Sequence, residues 1–235
     1  MNIKTIGTGS SGNCYRIDDG RTALLLEAGL PIKKIKAGCD FSLSSVSGCL
    51  ITHEHGDHAK AINDIMKAGV NVYTTKGTAL AADATTYRLH LLRNEGTDSI
   101  GNPNYETVRI GTLLVKPFLV KHDAAEPVGY LIESVITGER LLFLTDSYYT
   151  EYRFQGLTHI MIEANYSALD LADDPRRHRL RRSHMSIENC IALLKANDLT
   201  RVKEIRLIHL SSSNADAEEF KRMVQEATGV PTFIA

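Results

Sequence analysis

The sequence predicts an α/β protein of two packed sheets with helices on the outside. Three observations predict it. Short apolar runs are joined by hairpin-type turns, other apolar runs lead into stretches of helical period, and the two kinds mix along the chain. A purely parallel, doubly wound sheet has no place for the hairpins.

Residues 13–18 and 22–26 are apolar runs separated by Asp19-Gly20, a hairpin signal. The run GCLIT, residues 48–52, reads as a buried strand. A helical stretch over 59–68 follows, with Ile62, Ile65 and Met66 on one face and Gly69 as its stop. Residues 70–74 are the next strand. Residues 112–120 form another, in which Pro117 marks an edge strand or a bulge. Residues 129–136 and 140–145 read as a hairpin around Thr137-Gly138-Glu139, and 160–163 as a short strand. In the C-terminal part, Ser186 caps a helix marked by Ile187, Ile191 and Leu194. A strand at 202–208 follows. Phe220, Met223, Val224 and Ala227 mark a helix stopped by Gly229 and Pro231, and 231–234 closes as a strand.

The chain of 235 residues is 43% hydrophobic and 23% charged, which suits a globular fold with a sizeable core. It has no low-complexity linker and no repeat, so a single domain over 1–235 is expected. A net charge of −1 gives no global field to attract a nucleic acid or a membrane. The cysteines Cys14, Cys39, Cys49 and Cys190 are scattered without a CxxC pair, as in a reduced cytoplasmic protein. The first residues lack the apolar core of a signal peptide, and no run approaches the roughly 18 apolar residues of a membrane span. A cytoplasmic protein with no membrane partner is expected; the oligomeric state is left open.

The densest chemical signal is Thr52-His53-Glu54-His55-Gly56-Asp57-His58, directly after a strand and before a helix. In extended backbone His53 and His55 point the same way. Gly56 lets the chain bend, and Asp57 and His58 then serve a second centre beside the first. Imidazoles with a carboxylate suit zinc, manganese, iron or nickel.

HEHGDH matches the HxHxDH signature and resembles the metallo-β-lactamase superfamily. The further ligands that the resemblance implies occur in order, each just after a strand: His122 in FLVKHDA, Asp146 in FLTDS and His209 in RLIHLS. The resemblance implies a four-layer αββα sandwich with the site at the sheet edges. It also implies two divalent metal ions, Zn or Mn. His53, His55 and His122 would hold one, Asp57, His58 and His209 the other, and Asp146 would bridge both. Two such ions about 3.5–4 Å apart repel, so a shared carboxylate and a shared hydroxide belong between them. Glu27, in LLLEAG, stands where much of the family has aspartate supporting a ligand; a charged residue capping a strand end is an equal reading.

Ser10-Ser11-Gly12-Asn13, HDAAEPVGY, EANY, SHMS and HLSSSN together look like the WalJ-type branch, with members described as DNA exonucleases. That implies a phosphodiesterase or nuclease acting through a metal-bridging hydroxide on a nucleic acid or nucleotide phosphodiester. A small-molecule hydrolase of the same superfamily, acting on a cyclic nucleotide-type phosphodiester, a thioester or a lactone, is the alternative. A non-catalytic module with structural metals is a third, which the intact ligand set disfavours.

Two features support a phosphate substrate. Arg176, Arg177, Arg179, Arg181 and Arg182 place five arginines in seven residues, and arginine's planar fork binds phosphate in bidentate fashion. A solvated helix surface, neutralised by Asp170, Asp173 and Asp174, is the competing reading. His184 follows the run. As in phosphodiesterases of this superfamily, it would protonate the leaving oxygen or bind phosphate, oriented by Glu163. With the ligand Asp57, these form the expected catalytic set. Ser11 and Asn13 would line the site and bind phosphate, although a tight turn around Gly12 explains them as well. His90 and His159 read as structural histidines. Tyr148, Tyr149 and Tyr152 pack in the core or stack on a base.

Overall fold

The computed structural model describes residues 1–99, 101–169 and 177–235. Its chain divides into two compact units, Met1–Leu119 with Ala124–Gly138, and Val120–Asp123 with Glu139–Ala235.

The first unit opens with β1 (Asn2–Gly7), β2 (Cys14–Asp18) and β3 (Ala23–Leu26), joined antiparallel. Then come α1 (Ile32–Gly38), β4 (Val46–Leu50), α2 (Gly56–Ala59), α3 (Ile62–Lys67), β5 (Val72–Thr74), α4 (Lys76–Ala81) and β6 (Leu89–Leu91). Strands β3 to β6 run parallel and complete a six-stranded sheet in chain order. A small hairpin, β7 (Asn94–Thr97) with β8 (Pro103–Tyr105), leads to β9 (Val108–Ile110), β10 (Leu113–Leu119) and β11 (Val128–Ser134), which pair antiparallel. One face of the six-stranded sheet, with Leu25, Cys49, Ile51 and Val72, shares a buried cluster with Ile35 of α1 and with Ile62, Ile65 and Met66 of α3. The cysteines lie buried as free thiols.

The second unit holds β12 (Arg140–Leu144), β13 (His159–Glu163), α5 (Arg177–Ser183), α6 (Ile187–Lys195), β14 (Glu204–Ile208), α7 (Ala217–Thr228) and β15 (Thr232–Ile234). The four strands are parallel neighbours in the order β12-β13-β14-β15. β13 is buried at every position, as a parallel strand covered on both faces must be. Ser186 caps α6 as expected, accepting from the Asn189 N–H at 3.2 Å. Asp216 caps α7, and Gly229 ends it in the left-handed conformation at φ 71°. Among the described residues no helix is long and apolar enough to cross a membrane.

Two expectations change. The helix expected over 59–68 is α3, over Ile62–Lys67, and a separate four-residue helix, α2, precedes it and begins inside HEHGDH. An unbroken helix would send the Ala61 N–H to the Asp57 carbonyl. Instead Ala61 donates to the Ala28 carbonyl at 2.8 Å, and the Asp57 carbonyl accepts from the Asn13 N–H at 2.8 Å. Pro117 lies inside a strand with partners on both sides, yet β9 pairs only with Leu113, Leu114 and Val115, so the proline falls beyond its reach. His90 is exposed and stacks on Tyr73 with ring centroids 4.7 Å apart, and buried His159 meets Thr158 Oγ1 at 2.9 Å. Both fit the structural reading.

Asp19, in the β2–β3 turn, ties this hairpin to later strands. Its carboxylate accepts from the N–H groups of Arg21 and Thr22 at 3.0 and 2.8 Å, and from the hydroxyls of Thr112 and Ser134 at 2.6 and 2.7 Å. Burial opposes its charge, but these donors outweigh burial and bring the pKa down to about 2 from an ordinary 3.8. A depressed carboxyl stabilises the fold fully above its ordinary range and loses that contribution as pH falls through the folded value. We therefore expect Asp19→Asn to cost roughly 2 kcal/mol in denaturant unfolding near neutral pH, with the gap to the parent closing at about pH 2. A gap that is the same at both pH values removes Asp19 from this role.

Candidate metal centre

In the first unit the donors sit where β4 ends and α2 begins. His53 is buried, and its Nδ1 lies 2.9 Å from Thr52 Oγ1. The His53 ring lies 4.7 Å from that of His55 and 4.2 Å from that of His58, centroid to centroid. Asp57 Oδ2 is 3.5 Å from His58 Nε2. All four residues of the motif are thus gathered in one place.

The rear of this cluster is polar and buried. Glu27, with no exposed surface, accepts from the Thr52 N–H at 3.3 Å through Oε2 and sets Oε1 3.6 Å from His58 Nδ1. Glutamate's extra methylene therefore still reaches the ring. Burial, the largest influence, pushes the Glu27 pKa up, and His58 opposes it. Asn13 holds the turn. Its Oδ1 accepts from the Gly9 N–H at 2.9 Å and the Tyr15 hydroxyl at 3.1 Å. Its Nδ2 donates to the Asp57 carbonyl at 3.2 Å and lies 3.2 Å from His58 Nε2. Ser11, expected beside it, is exposed. Gly29 leaves room for this contact, because a Cβ there would stand 1.7 Å from the Asp57 oxygen.

In the second unit, Asp146 follows β12 and His209 follows β14, both in left-handed backbone at φ 44° and 53°. In the first unit Glu27 follows β3 in the same way at φ 67°. Such conformations are uncommon outside glycine and collect at functional sites. His122 Nδ1 donates to the Ser183 carbonyl at 2.7 Å, which fixes the ring with Nε2 3.5 Å from Asp146 Oδ2. Burial above all holds His122 below its ordinary pKa, in the neutral form that ligates. His209 Nδ1 lies 3.3 Å from Asp146 Oδ1 and 3.1 Å from Glu163 Oε1.

Glu163 and His184 come together as the sequence suggested. His184 Nδ1 is 2.7 Å from Glu163 Oε1, while Glu163 Oε2 accepts from the N–H groups of Ser147 and Met185 at 3.3 and 3.1 Å. Burial works against charge on His184, but the Glu163 carboxylate prevails and raises its pKa. Its ring stacks on His209 at 5.5 Å. Asp146, Glu163, His184 and His209 offer ligand atoms within 4.8 Å of one another. Imidazole and carboxylate donors, with His53, His58, His122 and His209 held by neighbouring polar groups, fit divalent metal ions.

The other expected residues lie around this core or outside it. Arg176 lies outside the described residues, as do Asp170, Asp173, Asp174 and the side chain of Arg177. Arg179 pairs with Asp123 at 3.0 Å, and Arg181 and Arg182 are exposed. Tyr148 lies under Lys121 at 5.7 Å, the Tyr149 hydroxyl accepts from Arg153 at 3.4 Å, and Tyr152 meets Phe154. Sequence reasoning gave no role to Asn165, whose Nδ2 donates to the His209 carbonyl at 2.8 Å, or to the Ser183 carbonyl. EANY carries the first; a backbone acceptor leaves no trace in composition.

A family model described as a beta-lactamase superfamily domain matches residues 36–210. Exodeoxyribonuclease YycJ of Bacillus anthracis is 30% identical over 95% of this chain and 87% of its own length. Exodeoxyribonuclease WalJ of Streptococcus pneumoniae serotype 2 is 28% identical over 89% of this chain and 81% of its own. Among solved structures, the metallo-beta-lactamase fold protein YhfI from Bacillus subtilis aligns at TM-score 0.73 and 14% identity, covering 99% of this chain and 95% of that one. Human tRNase Z, short form, aligns at TM-score 0.70 and 16% identity, covering 100% and 96%.

Glu27→Gln keeps the shape behind His58 and removes its charge. Competition with a chromophoric chelator should show divalent-metal affinity about 10–100-fold weaker. Affinity equal to the parent's would reassign Glu27 to capping the strand end.

Proposed function

This chain belongs to the β-lactamase superfamily and has the metallo-β-lactamase fold, and on that footing we propose that it is a dinuclear metal phosphodiesterase that degrades DNA from an end. It is a hydrolase, and its curated relatives are named exodeoxyribonucleases. In this reading His53, His55 and His122 hold one ion, Asp57, His58 and His209 the other, and Asp146 is shared. The ions are zinc or manganese. The single-domain organisation over 1–235 is part of the same proposal, supported by one family model matching 36–210.

When bound, such ions supply Lewis acidity and lower the pKa of water toward neutrality. The chain's own residues do the rest. Glu163 holds the Nδ1 side of His184 at 2.7 Å, so a proton on Nε2 is the one available for transfer. A departing sugar alkoxide is a poor leaving group and needs that proton; a thiolate does not. The Glu163–His184 contact is the observation that favours phosphodiester over thioester. Arg176, Arg177, Arg179, Arg181 and Arg182 bind the backbone phosphates, and Ser11 adds a donor at the rim. Asn13 is a positioning residue for the Asp57–His58 turn.

Digestion of end-labelled DNA and RNA, single- and double-stranded, with added Mn²⁺ or Zn²⁺, tests the reading. His184→Ala should cut kcat on DNA by ~10²–10⁴ while metal content stays intact. On a bis-aryl phosphodiester, whose leaving group departs without a proton, the same variant should lose far less. Equal losses on both substrates would remove His184 as the acid, and turnover of a thioester or lactone in place of phosphodiesters would overturn the function.

A further inference from the structure

The arginine helix α5 does more than present a charged surface. Asp123, His178, Arg179, Arg182 and Ser183 line a pocket of about 290 Å³ in the second unit. Arg179 Nε bonds Asp123 Oδ2 at 3.0 Å, with both side chains substantially exposed. Among the described residues no hydrogen bond or ion pair engages the side chains of His178 and Arg182. The pocket adjoins the expected chemistry: Asp123 follows the ligand His122, and the Ser183 carbonyl accepts from His122 Nδ1 at 2.7 Å. Next in the chain is His184.

We propose that this pocket is a subsite for a terminal phosphate monoester on a nucleic-acid strand, with Asp123 as the group that makes it selective. Asp123 already neutralises one of the pocket's two arginines. A backbone diester carries one negative charge, and in displacing Asp123 it exchanges one singly charged partner of Arg179 for another. A terminal monoester carries −1.5 to −2 at neutral pH and three strong acceptor oxygens. It competes with Asp123 for Arg179 and still engages Arg182 and His178. An exposed ion pair of this kind is weak enough to be exchanged. A volume of about 290 Å³ admits a phosphate with part of its sugar. The inference rests on the nuclease reading and refines it to phosphorylated ends.

The experiment is binding of fluorescent single-stranded DNA by the full chain with chelator present, so that no cleavage occurs. The probes are identical strands ending in a 5′-phosphate, a 3′-phosphate or hydroxyls. One phosphorylated end should bind about 10-fold tighter than the hydroxyl-ended strand, and Arg182→Ala should bring the ratio near one by weakening the phosphorylated probe far more than the hydroxyl-ended one. Asp123→Asn should narrow the ratio in the opposite way, by tightening the hydroxyl-ended strand, a gain that damage to the fold would not produce. A parent ratio of one at both ends, or a ratio indifferent to Arg182 and Asp123, overturns the subsite and leaves the nuclease reading standing. Failure to bind any strand, with no cleavage when metal is restored, overturns both. Inorganic phosphate alone, if it binds calorimetrically as tightly as the phosphorylated strand, overturns the assignment to a strand end.

Discussion

The carbonyl oxygen of Asp57 decides how the first unit presents its donors. Within one long helix it would face Ala61. Here Asn13 takes it twice, through the main-chain N–H at 2.8 Å and the side-chain amide at 3.2 Å, and Ala61 turns to Ala28. The helix breaks, and Asp57 and His58 ride on a four-residue turn fixed by loops at 13 and 28–29. A hydrogen bond contributes only ~1 kcal/mol net, but a buried group left without one costs ~1–3 kcal/mol. The turn is therefore expensive to disturb at any one point, because each loss strands a partner. Asn13 is itself fixed, since Gly9 and Tyr15 both donate to its Oδ1 and so set which way the amide points.

The second unit reaches the same end by another route. Its parallel strands lie in register, Leu144 beside Ile162 and Glu163 beside Ile208. Their carboxyl ends therefore emerge together and deliver Asp146, Glu163 and His209 to one edge. The buried apolar strands hold the register, and the left-handed residues after β12 and β14 turn the side chains aside. Such conformations cost on the order of 1–3 kcal/mol each for non-glycine residues, least for aspartate and histidine, which tolerate them best. A core that is buried almost throughout the strands can sustain that cost. Glu163 then serves two rings with one oxygen while its other oxygen accepts two backbone N–H groups.

Much of this was legible in the sequence because it is written in residue types. The strands around 113–119, 140–144 and 204–208 follow from apolar runs, and the expected donors follow from HEHGDH and from the resemblance that singled out His122, Asp146 and His209. The pairing of Glu163 with His184 was also foreseeable, since an acid and its orienting carboxylate are recognisable kinds of residue. Other parts were not legible. α1 buries only Ile35, so its period is faint. β6 is three residues long, and β7 is exposed throughout. The split between α2 and α3 depends on two loops distant in sequence competing for backbone groups, which no local window contains. The contacts of Asn13 were hidden for a related reason. A polar residue in a glycine-rich loop reads as a ligand for substrate or as part of a tight turn, and only the folded chain brings the buried amide to the Gly9 N–H, the Tyr15 hydroxyl, the Asp57 carbonyl and the His58 ring.

Gly29 shows how such a contact restricts change. It donates to the Asn13 carbonyl at 2.9 Å, and its missing side chain leaves the space that the Asp57 oxygen fills. Any larger residue would have to evict that oxygen, and His58 would be carried with it. What position 29 contributes is thus a spacing. Drift there is barred by geometry whatever the newcomer's polarity, and a residue that donates nothing to an ion governs how near its neighbours may approach one.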